Sequence, residues 1–344
     1  MSKFIPIILA SGLISFVATP LIRKLAQSIN FVDSPSGRKL HMTPIPMLGG
    51  VAIYAGLVTA MAISGTRQYQ EMMGVLSGAT VVTAFGLWDD RYGMRPLVKL
   101  LGQMIAAGVL IASGVHVTLF SSQALNLALT LFWVVGISNA INFLDNMDGL
   151  AAGITTVASG FFFTLAIVEG LGLVASLAAA TLGACVGFLY YNFSPASLFM
   201  GDAGSLLLGF VLAVLGIKLE FTGRPLNVTW MIPIVILALP IFDTTLVVLS
   251  RLRRGKPIYQ GGKDHVSHRL IAVFGMTPSR AVLTLYLAAS TLGLLALMLR
   301  DATPLQAKLI LGSLAALFIV ALIWLEWRFR GTLAEDTDFP HTPV

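Results

Sequence analysis

An all-α integral membrane protein, a polytopic bundle of about eleven transmembrane helices, is the fold class this sequence predicts, and three observations predict it. Apolar residues make up 56% of the 344-residue chain and charged residues only 11%, with a mean hydropathy of +0.86, a composition foreign to soluble domains. The apolar residues gather into runs of about 17 to 25 with few charges, long enough for a helix to cross hydrocarbon. The cations cluster between alternate runs, as membrane topology requires.

The first run, 4–25, carries its basic flank, Arg23 and Lys24, behind it rather than ahead, so it reads as a retained span and not a signal peptide. Further runs lie at 47–65, 72–88, 97–115, 125–141, 150–168, 173–191, 205–219, 228–249, 281–299 and 305–327. The connections leave no room for a soluble domain, so residues 1–330 read as one transmembrane domain. The tail 331–344 is polar and proline-bearing and is expected to be disordered. Cys185 is the only cysteine and sits in an apolar run, where it cannot form an intrachain disulfide.

Eleven spans put the loops after spans 1, 3, 5, 7 and 9 and the C-terminal tail on one side. That side holds Arg23, Lys24, Arg38, Lys39, Arg91, Arg95, Lys99, Arg251, Arg253, Arg254, Lys256, Lys263, Arg269, Arg280, Arg328 and Arg330. The other side has only Lys3, Arg67, Lys218, Arg224, Arg300 and Lys308. By the positive-inside rule the first side is cytoplasmic, with the N-terminus outside. The net charge of +6 is thus a topology signal, and no basic stripe interleaved with aromatics points to nucleic acid.

The cytoplasmic loops carry the polar residues. The first, VDSPSGRKLHMTPIPMLGG, offers Arg38, Lys39 and His41 before a Pro- and Gly-rich re-entry; these cations either grip a phosphate or anchor the topology. The second, WDDRYGMRPLVK, has Asp89 and Asp90 straight after a span, either as cation and proton sites or as helix-end polarity neutralised by Arg91 and Arg95. In the third, SNAINFLDNMDG, Asn139, Asn142, Asp145 and Asp148 recur every third residue, and a continuing helix would line them along one curved wall. The fourth, YNFSPASLFMGDAGS, has Asn192, Phe199 and Asp202 beside glycines that open the next span, where backbone N–H groups can meet an anion. The fifth, RLRRGKPIYQGGKDHVSHRL, is the most basic and places His265 and His268 three apart. Asp243, about two turns before Arg251, is expected to pair with an arginine.

Carboxylates and carboxamides with almost no thiol suit a hard ion such as Mg²⁺, which binds through one or two carboxylates and substrate phosphates. With Arg, Lys and His around it, that ion would polarise a diphosphate for in-line phosphoryl displacement. A site at the lipid boundary can receive a soluble nucleotide from one side and a lipid phosphate from the other. An ion-coupled transporter is the competing class, although its carboxylates belong near the bilayer midplane, whereas these lie at span ends.

Five blocks, DSPSGRKLHMTPIPMLGG, DDRYGMRPLVKLLGQ, NAINFLDNMDGLAAG, NFSPASLFMGDAGSLLLG and the segment from PIFDTTLVVLSRLRRGKP to DHVSHRL, occur in an order that resembles the polyprenyl-phosphate N-acetylhexosamine-1-phosphate transferases. The resemblance implies transfer of a sugar 1-phosphate from a UDP-N-acetylhexosamine to undecaprenyl phosphate, with Mg²⁺ (or Mn²⁺) as cofactor, in a multi-pass protein of the cell membrane whose site faces the cytoplasm. The TPIPMLGG re-entry is closer to the UDP-GlcNAc branch, which initiates cell-surface glycans, than to the muramoyl-pentapeptide branch, the alternative within the family. A homodimer is compatible with it. On the same grounds Asp202 is the main Mg²⁺ ligand with Asp89 and Asp90 near the metal, Asp89 being the family's proposed base. Asn142, Asp145, Asp148 and Asn192 attend uridine, ribose or the metal shell, Phe199 the uracil, and His265, His268 and Arg251 the diphosphate or sugar. Asn139, Arg38, Lys39 and His41 complete the expected substrate-binding set. The branch's usual His-x-His-His departs here to HVSH, with Ser267 in the third position.

Overall fold

A computed structural model describes residues 2–33, 44–258 and 262–336. Arg38, Lys39 and His41 lie outside the described residues.

A single 3-10 turn, Ser2–Phe4, leads into α1 (Ile5–Ser28), and a two-stranded antiparallel ribbon follows, β1 (Val32–Asp33) with β2 (Ile45–Pro46), Val32 opposite Pro46. Then come α2 (Gly49–Ala62), α3 (Tyr69–Tyr92), α4 (Pro96–Ala112), α5 (Gln123–Leu144), α6 (Leu150–Val168), α7 (Gly172–Asn192) and α8 (Gly201–Lys218). The chain closes with α9 (Leu226–Thr229), α10 (Ile232–Ile236), α11 (Ala238–Arg253), α12 (Val266–Phe274), α13 (Pro278–Arg300) and α14 (Pro304–Asp336). Among the described residues eight helices are long and apolar enough to cross a membrane: α1 with its leading turn, α3, α5, α6, α7, α8, α13 and α14; α2 and α4 are apolar but shorter.

Two expectations change. The run 228–249 is not one helix but α9, α10 and most of α11, interrupted around Trp230 and Leu237, with Pro233 opening the middle piece, where its missing N–H costs nothing. The tail expected to be disordered from residue 331 instead begins as helix, because α14 runs on to Asp336.

The axis of the bundle is α8, buried from Ala203 to Leu215 and packed by α2, α3, α5 and α6. Lipid offers no hydrophobic drive for such packing, so small residues that let backbones approach carry it. A Cβ on Gly50 of α2 would fall on the backbone of Ala203 and Gly204, so only glycine allows α2 so near the start of α8.

The connections after α1, α3, α5, α7 and α11 gather at one end of the bundle. Phe199 donates its N–H to Pro46 O (2.9 Å) and accepts from Gly49 N–H (2.9 Å), tying the fourth loop to the first. Arg91 donates to Asn30 O (3.2 Å), tying the second to the first. At the other end three of the six cations pair with acids: Arg224 with Asp301 (2.6 Å), Arg300 with Glu169 (2.6 Å) and Lys218 with Glu71 (3.2 Å).

Candidate active site

At the loop-rich end the second loop turns back after α3, and α4 returns Lys99 to the aspartates ten residues before it. Lys99 Nζ lies 3.0 Å from Asp89 Oδ2 and 3.2 Å from Asn142 Oδ1, and closes a shorter ion pair with Asp202. Asn142, in the last turn of α5, donates to Asp202 Oδ1 (2.7 Å) and to Ser205 Oγ (2.8 Å). Helices α3, α4, α5 and α8 thus meet on one ammonium and its oxygens. The neutralising cation is Lys99, not the expected Arg91 and Arg95; Asp89 uses its other oxygen on Met94 N–H (2.6 Å).

The anion expected at the start of α8 proves to be the protein's own Asp90. Its oxygens accept the N–H groups of Asp202 (2.7 Å) and Ala203 (3.1 Å), the favourable place for negative charge at a helix N-terminus. Gly201 makes this possible: its φ is +67°, and a Cβ there would fall on the Asp90 carboxylate.

The wall expected along a continued α5 stops short. The helix ends at Leu144, Asp145 is its C-cap, and a turn closed by left-handed Gly149 starts α6. Asn139, one turn deeper, pairs with Gln103 of α4 (2.6 and 3.2 Å) inside the bundle. Beyond the turn, Asp148 accepts Ala196 N–H (2.9 Å), while buried Asn192 accepts Gly149 N–H (3.1 Å) and donates to Leu198 O (3.0 Å). These two residues sew the third loop to the fourth. Asp145 differs: among the described residues its carboxyl has no hydrogen-bond or ion-pair partner. Burial and then the charges of Asp202, Asp90 and Asp148 push it up to about 8. A carboxyl so placed marks a space short of positive charge, beside the paired oxygens of Asp89 and Asp202; among the described residues no group of three acids, histidines or cysteines is gathered closely enough to hold a metal ion.

The fifth loop brings the imidazoles. Asp243 pairs with His265, not with an arginine: Oδ2 lies 2.8 Å from His265 Nδ1, and Oδ1 accepts Val266 N–H (2.6 Å). His265 is the N-cap of α12, so the carboxylate fixes both the helix start and the ring. The ring stands edge-on to Phe143 and 6.1 Å from His268. Burial and then His265 push the His268 imidazole down to about 4, leaving it neutral at physiological pH. Arg251 is buried in a two-point pair with Asp264 (2.9 and 2.8 Å) and donates to Ile258 O (2.8 Å), folding the basic loop back on itself. Ser267 donates to Asn146 Oδ1 at 2.5 Å.

Asp89, Asp90, Asn142 and Asp202 therefore form one contiguous constellation with Asp145 beside it, and Asp148, Asn192, His265 and His268 stand on the loops around it. Lys99, Asp264 and Gln103 were not anticipated at the site, and Asp243 was expected beside an arginine rather than His265. Lys99 had the only available signal, a cation one short helical segment beyond paired aspartates.

The description glycosyl transferase family 4 matches residues 72–220. A Bacillus subtilis (strain 168) protein described as a probable undecaprenyl-phosphate N-acetylglucosaminyl 1-phosphate transferase is 35% identical over 312 residues, 88% of this chain and 87% of the relative. The decaprenyl-phosphate N-acetylglucosaminephosphotransferase of Mycobacterium leprae (strain TN) is 34% identical over 316 residues, 81% of this chain and 79% of its own. The undecaprenyl-phosphate alpha-N-acetylglucosaminyl 1-phosphate transferase of Escherichia coli (strain K12) is 30% identical over 286 residues, 78% and 77% respectively.

Proposed function

The chain belongs to glycosyl transferase family 4, and on that premise we propose that it transfers N-acetylglucosamine 1-phosphate from UDP-N-acetylglucosamine to undecaprenyl phosphate or a similar polyprenyl phosphate, releasing UMP. The observation that carries the reading is the meeting of Asp89, Asn142 and Asp202 on Lys99, with unpartnered Asp145 alongside, at the end where five loops converge. It accords with the acceptors named for the relatives from three organisms.

An oxygen of the lipid phosphate attacks the sugar-bearing phosphorus, a P–O bond forms, and the bridging P–O bond to UMP breaks. The acceptor has its second pKa near about 6, so it is largely dianionic at neutral pH and direct attack needs no covalent enzyme intermediate. Asp89 and Asp202, with Asp145 beside them, would hold Mg²⁺, or Mn²⁺ in its place, through one or two carboxylates, and the ion would supply positive charge to the diphosphate. Asp90 keeps Asp202 in place through the start of α8. Lys99 supplies fixed positive charge beside the reacting phosphates. His265, held by Asp243, and neutral His268 offer ring nitrogens to the sugar or diphosphate. By the positive-inside rule this end would face the cytoplasm, where a soluble nucleotide sugar and an inner-leaflet lipid phosphate would both arrive.

The test is UMP release by purified protein in detergent with undecaprenyl phosphate, Mg²⁺ and, in separate reactions, UDP-GlcNAc, UDP-GalNAc and UDP-MurNAc-pentapeptide. Turnover is expected with UDP-GlcNAc. Folded protein that releases UMP from none of the three overturns the reading.

A further inference from the structure

Ser267 lies between the two histidines of the fifth loop, is 1% exposed, and places its hydroxyl on the Asn146 carboxamide, one residue from Asp145 and two from Asp148. Asn146 completes the arrangement by donating Nδ2 to Phe143 O (2.9 Å), in the residue whose ring meets His265. Each loop has its own anchors elsewhere. α12 is held by Arg269, which donates to Asp264 O (2.8 Å) and Glu326 (2.7 Å), and the third loop by Asn142 and Asn192. The Ser267–Asn146 bond therefore joins two loops that each have other anchors, and lies between the imidazoles and the carboxylates.

We propose that Ser267 and Asn146 are positioning residues: their hydrogen bond locks the His265–His268 turn against the Asp145–Asp148 loop, so the nucleotide-sugar donor is gripped from both sides of one seam. The inference rests on the transferase reading above. It explains why a serine can stand at this position of the His motif, since its hydroxyl is committed to the neighbouring loop and not to the substrate. Loss of the lock acts on donor binding, because the two halves of the grip lose their register while the reacting phosphates keep their own ligands.

Steady-state UMP release is measured against UDP-GlcNAc concentration for wild type, Ser267→Ala, Ser267→Thr, Asn146→Ala and the double alanine variant, with unfolding temperatures for each. One neutral hydrogen bond corresponds to about a three- to tenfold rise in KM for each single alanine variant, with kcat within about twofold of wild type. Ser267→Thr, which keeps the hydroxyl, is expected to stay near wild type, and the double variant to be no worse than the worse single one. Unchanged KM in Ser267→Ala, effects of the two alanine substitutions that multiply, or a lowered unfolding temperature with KM unmoved each overturn the lock while leaving the transferase intact. Absence of turnover in wild type itself overturns the transferase reading and the lock with it.

Discussion

Replacing Lys99 with methionine keeps the apolar stem of the side chain and removes the ammonium on which Asp89, Asn142 and Asp202 converge. Taking one partner from a buried ion pair costs about 3 to 5 kcal/mol, because the other charge is left without compensation. Here Lys99, Asp89 and Asp202 keep 18%, 15% and 29% of their side-chain exposure, so water recovers part of that loss, and about 2 to 3 kcal/mol is the expected destabilisation without divalent cation. The apparent unfolding temperature should fall by about 3 to 4 °C. If Mg²⁺ occupies the proposed site it should then matter more to the variant than to wild type, since in wild type the ion and the ammonium would compete for the same oxygens, and a ligand stabilises in proportion to its occupancy of the folded state. The assay is intrinsic-fluorescence unfolding in detergent, with and without Mg²⁺, alongside UMP release, which should drop at least about a hundredfold for loss of a fixed cation at the phosphates. An unfolding temperature equal to wild type without Mg²⁺, or a Mg²⁺ shift no larger than that of wild type, refutes the reasoning.

Asp202→Asn should lower UMP release at least about a thousandfold while unfolding near the wild-type temperature, as a neutral isostere still accepts from Asn142. Asp90→Ala should act through structure, costing about 1 to 2 kcal/mol as the α8 N-terminus loses its acceptor, a loss that unfolding temperature reports. Asp145 is pushed up to about 8 by burial, then by Asp202, Asp90 and Asp148. Its folded state therefore holds a proton that the unfolded state has released, so stability is full below the unfolded value near about 4 and falls as pH rises towards about 8. Without divalent cation, wild type should lose unfolding temperature over that window relative to Asp145→Asn, and equal slopes for the two would contradict the assignment. Burial raises the Asp264 carboxyl, but the bonds and charge of Arg251 outweigh it and hold the group below the usual range. This stability is present above the unfolded value and lost on acidification through the lower folded one, so Asp264→Ala should cost about 3 to 5 kcal/mol at neutral pH, read by thermal unfolding.

The fold was legible because hydropathy and charge parity are properties of whole segments: ten of the eleven apolar runs became single helices without any knowledge of contacts. The exception, 228–249, is as apolar as the rest, and its interruptions at Trp230 and Leu237 fall just before Pro233 and Pro240, which break a helix without changing its hydropathy. At the site, the placement of Asp89, Asn142 and Asp202 followed from their positions at span ends. Partner identity did not. Asp243 looked like an arginine partner because Arg251 lies two turns on along the same helix, yet Arg251 turns to Asp264 across a loop and leaves Asp243 to His265. A helical spacing names neighbours within an element, whereas buried charges choose among all donors the tertiary fold brings within about 3 Å.

That choice of partners also tells where a ligand's charge is needed. Asp90 is met by the α8 N-terminus, Asp148 by Ala196 N–H, Asp243 by His265 and Val266 N–H, and Asp264 by Arg251 and Arg254. Each of these acids has a dedicated donor, so each is a fixed part of the frame. Asp89, Asp202 and Asp145 differ: Asp89 has Met94 N–H but must share Lys99 with Asp202, which adds Asn142, and Asp145 is touched by none of these. With Asp145 holding its proton at neutral pH, Asp89 and Asp202 still set two carboxyls against one ammonium, and burial of unmatched charge is tolerated only where something else arrives to match it. A diphosphate alone would worsen the imbalance, so on the proposed function the donor would enter with a divalent cation or after one. UDP binding should therefore require Mg²⁺, and isothermal titration with UDP should give measurable heat only when the ion is present. Equal UDP affinity in excess chelator would show that Lys99 and the histidines suffice for the nucleotide, and that the carboxylates serve some other step.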